Sequence, residues 1–214
     1  MKYLEIIRII NIYSIVLPIL IGLFFYKYLK FSERIILSFL ITVGLFDVLL
    51  FILSDLNINN LMFYQIYNKI EYVFIATFYL STLKYYFRYK YIRSIYFTIF
   101  IISIIVSYYK YSMLNIDSIS STLVSLTFIF SAIVLLFKSQ FSENSNLLLS
   151  STRLINITIL FYYSTTFFIY LLSDWIILNQ LESFQNIWII NTIASLITNI
   201  LFTLALWKAR PQTK

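Results

Sequence analysis

The chain of 214 residues is 61% hydrophobic and only 12% charged, with a mean hydropathy of +0.86. Soluble domains are about half apolar and roughly a quarter charged, so this excess belongs in lipid rather than in a core. Cysteine and histidine are both absent, which excludes disulfides, Cys or His metal sites, thiol nucleophiles and a Ser-His-Asp triad. The net charge of +7 reads as the Lys and Arg excess of cytoplasmic loops in membrane proteins, not as a nucleic-acid footprint.

About 20 apolar residues cross a bilayer. On that criterion the sequence predicts an all-α polytopic bundle, one transmembrane domain over 1–214. Its seven helices lie at about 5–26, 35–56, 61–83, 94–110, 119–137, 154–178 and 187–207. The first carries Pro18 and Gly22 followed by Phe-Phe-Tyr-Lys, with no small-x-small cleavage site, and is expected to be retained. The fourth is short, and the stretch 110–118 (KYSMLNIDS) could extend it.

Charge sets an expected orientation. Lys27, Lys30, Arg34, Lys84, Arg88, Lys90, Arg93, Lys138, Arg153, Lys208, Arg210 and Lys214 fall in alternate connections and the tail, twelve of the 16 cations. Lys2, Arg8, Lys69 and Lys110 fall on the other side. The positive-inside bias then puts the amino terminus outside and the carboxyl terminus in the cytoplasm, with the cytoplasmic (inner) membrane as the expected location. Tyr26, Tyr28, Tyr85, Tyr89, Trp175, Trp188 and Trp207 sit near helix ends, where amphipathic rings settle.

The third predicted helix is the exceptional one. Tyr64, Asn68, Glu71 and Thr82 share a stripe at helical spacing, with Glu71 near mid-span. An ionised carboxylate in hydrocarbon costs several kcal/mol, about 3 even on lenient scales, so Glu71 and Asp47 of the second helix should face protein or water. The first helix offers Arg8 and Asn11, the third Tyr67 beside Asn68, and the last Asn191 and Ser195. With this orientation, Arg8, Asn11, Asp47, Asn68, Glu71, Asp174 and Asn191 all lie between the outer surface and mid-membrane. A polar pocket open to the outside is expected, walled mainly by the first, second, third, sixth and seventh helices, above a comparatively apolar cytoplasmic half. Most membrane Asn, Ser and Thr only bond neighbouring helices, and Arg8 and Lys69 could simply extend to the outer interface. Asp47 and Glu71 are harder to explain by structure alone.

The run Asn59-Asn60-Leu61-Met62-Phe63-Tyr64-Gln65-Ile66-Tyr67-Asn68-Lys69-Ile70-Glu71-Tyr72 resembles a recurrent feature of short bacterial seven-transmembrane-helix proteins. In these an Asn-Asn pair precedes an aromatic entry to the third helix, and a Tyr-x-x-x-Glu spacing follows. The resemblance implies architecture and carries no activity with it.

Three functions fit these residues. A receptor-like or sensory module would use the outer pocket for a small-molecule or lipid ligand and the basic loops for a cytoplasmic signalling partner. An intramembrane lipid-modifying enzyme would use Asp47 and Glu71 as an acid/base pair, although the Gly-x-Gly-Asp element of aspartyl intramembrane proteases is missing. A small transporter would need broken helices or an inverted repeat, which are not evident. A retinal pigment is excluded by the position of Lys208 at the cytoplasmic end of the closing helix. The receptor-like reading is the expectation, with membrane lipid as a partner, catalytic residues unassigned, and no cofactor, metal or nucleic acid.

Overall fold

The computed structural model describes residues 2–56, 58, 60–110, 117–140, 151–178 and 184–210; at 2–6, 8, 61, 110, 140, 174–178 and 184–188 only the backbone is described. The described residues form an all-α bundle: α1 (Lys2–Ser14), α2 (Val16–Phe24), α3 (Phe31–Asp55), α4 (Leu61–Leu83), α5 (Tyr89–Lys110), α6 (Ser118–Gln140), α7 (Ser151–Leu178) and α8 (Phe184–Lys208). α1 and α2 are one rod broken at Ile15. Pro18 has no N–H to give the carbonyl of Ser14, so the i to i−4 ladder is interrupted there.

Five of these helices are long and apolar enough to cross a membrane: α3, α5, α6, α7 and α8. The α2 region, 9–24, is apolar but shorter. α4 has the length and lacks the hydropathy, because Gln65, Asn68, Lys69 and Glu71 crowd its first half. The outward faces are those of a membrane protein. Leu45, Ile95, Phe97, Phe130, Phe168 and Leu204 are each more than half exposed, which water would not tolerate over so many helices.

Helix starts reach further than hydropathy implies. α3 begins at Phe31 because the Glu33 carboxylate accepts the Lys30 N–H at 2.8 Å and satisfies a first-turn donor. α5 starts further upstream, at Tyr89, and the suggested extension through 111–116 lies outside the described residues. α6 begins at Ser118, capped by Asp117: its carbonyl accepts Ser121 N–H at 3.1 Å and its carboxylate accepts Ser120 N–H at 3.2 Å.

Each helix packs on the next, and α8 closes the circuit by lying along α1 and α2. α4 touches α3, α5 and α6 and reaches α7 through long side chains. The driest packing, with Leu37, Leu40, Phe78, Ile155, Ile159 and Leu206 fully buried, occupies the half that ends in the basic connections. Rings collect there as well. Arg34 lies over Tyr26, Lys84 over Tyr85, Lys138 over Phe87 and Arg210 over Trp207, at 4.7 to 5.4 Å.

That half is nevertheless less apolar than its sequence implies. Tyr79 donates to Asn156 Oδ1 at 2.9 Å, and Asn156 Nδ2 donates to the Ala132 carbonyl at 3.0 Å, tying α4, α7 and α6 together. Glu33, 1% exposed, also accepts from Thr152 at 3.4 Å. These groups are paired with each other, so burial is affordable.

Candidate functional site

Glu71 projects from α4 into the interior and is 7% exposed. Its Oε1 accepts one hydrogen bond, 2.6 Å, from the Tyr163 hydroxyl of α7. The ring of Tyr163 packs on Phe128, 4.9 Å between centroids, which fixes the direction of the hydroxyl. Two cavities meet at this carboxyl. The larger, about 40 Å³, is lined by Glu71 and Tyr67 of α4, Tyr162 and Tyr163 of α7, and Ser195 and Asn199 of α8, over a floor of Leu40, Ile75 and Phe202. The smaller, about 20 Å³, runs between α4, α6 and α7 past Asn68, Ser121, Ser125 and Tyr170 to Lys69 and Ser120.

Lys69 closes that second cavity. Its ammonium donates to Ser120 Oγ at 2.6 Å and to the Ser103 carbonyl at 3.4 Å, and it pairs with Asp117 at 3.2 Å. Asp117 also accepts from the Ser107 hydroxyl, so α4, α5 and α6 are joined at one point. All three ammonium hydrogens are used. Lys69 thus reaches the start of α6, where an acceptor set holds it rather than water alone.

The expected pocket residues divide into groups. Tyr67, Glu71 and Ser195 share the larger cavity, and Asn68 joins Glu71 on the smaller. Asp47 lines neither but stands within electrostatic range of Glu71. Asn11 and Asn191 lie on α1 and α8 away from both cavities, and each has a buried amide oxygen without a partner among the described residues. The side chains of Arg8 and Asp174 lie outside the described residues. α1 does not wall either cavity. Its place is taken by α6, whose Ser120, Ser121 and Ser125 fall on one face at near-helical spacing.

Four residues that matter here escape a reading by hydropathy: Asp117, Ser120, Tyr163 and Tyr170, the last 3.3 Å from the Tyr64 hydroxyl. Asp117-Ser118-x-Ser120-Ser121 is a helix-start pattern, and that signal could have found the first two.

Compared with protein-family models, curated proteins and solved structures, the chain matches none.

Proposed function

We propose that this is a seven-span protein of the cytoplasmic membrane, its amino end outside, acting as a receptor-like sensory module whose responsive centre is Glu71. The observation that carries the proposal is a carboxyl sealed in the bundle with one hydrogen bond, placed where two cavities meet. A charge held so sparingly is costly in a membrane and is the kind of group around which ion and proton sites are built. Gaining or losing that charge changes how strongly α4 holds α7 through Tyr163, and α4 holds the neighbouring helices.

The cavities also narrow the ligand. Small-molecule sites have roughly 300–1,000 Å³, and about 40 and 20 Å³ suit water or an ion. The signal is thus read as charge rather than as a drug-sized molecule. The topology rests on the basic end, where Lys27, Lys30, Arg34, Lys84, Arg88, Lys90, Arg93, Lys138, Arg153, Lys208 and Arg210 collect. A cytoplasmic partner with an acidic surface is the natural reader of that end.

A small transporter is the second reading. It is favoured by the dry layer of Leu40, Ile75 and Ile159 beneath Glu71, which divides a polar half from a closed one. A lipid-modifying enzyme is less favoured, since Asp47 does not share a cavity with Glu71.

The chain has no cysteine, so paired labels can be placed at will. Spin labels at Arg88→Cys and Lys208→Cys, both exposed at the basic end, report helix positions in lipid nanodiscs. The groups around Glu71 that could contribute are Asp47, Lys69, Asp117 and tyrosines 64, 67, 162, 163 and 170. The expected result is a distance distribution that shifts between mildly acidic and mildly alkaline buffer and stops shifting in Glu71→Gln. An unchanged distribution in the parent overturns the sensory reading.

A further inference from the structure

The larger cavity has a mainly apolar wall, on which stand oxygens with no hydrogen-bond partner among the described residues. Tyr163 engages only Oε1 of Glu71, which leaves Oε2. Asn199 donates its amide to Ser14 Oγ at 2.8 Å, which leaves its carbonyl oxygen as an acceptor and orients that amide by a fixed bond to α1. The hydroxyls of Tyr67, Tyr162 and Ser195 complete the set. These oxygens come from α4, α7 and α8, three helices that line the cavity together. Glu71 itself is buried and faces the cavity.

We infer that this cavity is a binding site for a small monovalent cation of the sodium class, held by Glu71 and the surrounding neutral oxygens of α4, α7 and α8. Three considerations select that ligand. The donors are all oxygen, one carboxylate and neutral carbonyl or hydroxyl groups, which is the set preferred by hard cations. The lining carries one formal negative charge, so a single positive charge balances it; a divalent ion would leave an excess charge in the bilayer. A water occupies about 30 Å³ of liquid and fits a cavity upward of roughly 10–15 Å³, so about 40 Å³ holds a sodium-sized ion with a water or two. No second carboxylate, imidazole or thiolate lines the cavity, which disfavours a transition metal.

Through Asn199 and Ser14 the ion would also be coupled to the break between α1 and α2. This inference rests on the reading of Glu71 as the responsive centre and adds the identity of what competes there.

The test is thermal unfolding of the full chain in detergent, with sodium chloride exchanged for choline chloride at constant total chloride, and with lithium and potassium in parallel. A saturable rise in Tm with sodium in the parent is expected, absent in Glu71→Gln. Ser195→Ala, which keeps the carboxylate and tests the site even if Glu71→Gln folds poorly, should raise the half-saturating sodium concentration by about tenfold for the loss of one ligand. Identical Tm in sodium and choline overturns the cation site, as does a sodium response undiminished in both variants. Either result leaves the spin-label experiment standing, so loss of the cation site and loss of the sensory reading are told apart.

Discussion

Tyr163 gives Glu71 its single hydrogen bond, and a hydroxyl removed there leaves a buried carboxyl with none. Tyr163→Phe should therefore destabilise the bundle by about 1 kcal/mol, the scale of an interhelical bond in a membrane, while the apolar ring keeps its packing. Denaturation in mixed micelles checks it. Lys69 and Asp117 call for a cycle rather than single variants. Lys69→Ala leaves Asp117, 3% exposed, without its cation and should cost about 2 kcal/mol, reduced from the value for a fully sealed pair because Lys69 is 21% exposed. Lys69→Met combined with Asp117→Asn should recover more than half of that loss. Additive losses in the same unfolding assay would show that the two side chains do not hold each other.

At the scale of helices, the glycines of α2 and α3 make a sharp contrast. A Cβ on Gly22 would stand 2.5 Å from Leu37 Cδ1 and 3.2 Å from Leu206 Cδ1, both ends of fully packed side chains. Gly22→Ala should cost about 1–3 kcal/mol through overpacking. Gly44→Ala meets Ile19 Cδ1 at 3.3 Å and Ile15 Cγ2 at an ordinary 3.6 Å, and should be near neutral by the same unfolding measurement. Neither difference is visible in the sequence, where both are glycines in apolar runs. Glu71 was legible because one carboxylate in a stretch of Tyr, Phe and Ile announces its own cost. Tyr163 was not, because a chain with nineteen tyrosines does not say which one turns inward; that is decided by the rotation of α7 against Phe128. Asp117 was hidden because KYSMLNIDS can be read as an extension of the helix before it until the cap on α6 is seen. Hydropathy also cuts helices at their first cation, and so it loses the opening turns of α3 and α5, which are helical and basic together.

The bundle as a whole sorts its charges: a basic end ringed with Tyr, Phe and Trp, and a far half in which α3, α4, α6, α7 and α8 enclose the cavities. If the positive-inside bias governs insertion, single cysteines at Arg88 and Lys208 will resist an impermeant maleimide added to intact spheroplasts. Both will react in inverted vesicles. Labelling from the outside would reverse the topology and place the larger cavity nearer the cytoplasm.

The packing of α8 along α1 and α2 has a bearing on how the chain is made. The broken rod precedes α8 in the chain, and the amide of Asn199 that grips Ser14 at its break is 185 positions further on. Until α8 is made, Ser14 is without that partner. An error in α8 would therefore leave the rod without this hold, however well α3 to α7 had packed among themselves.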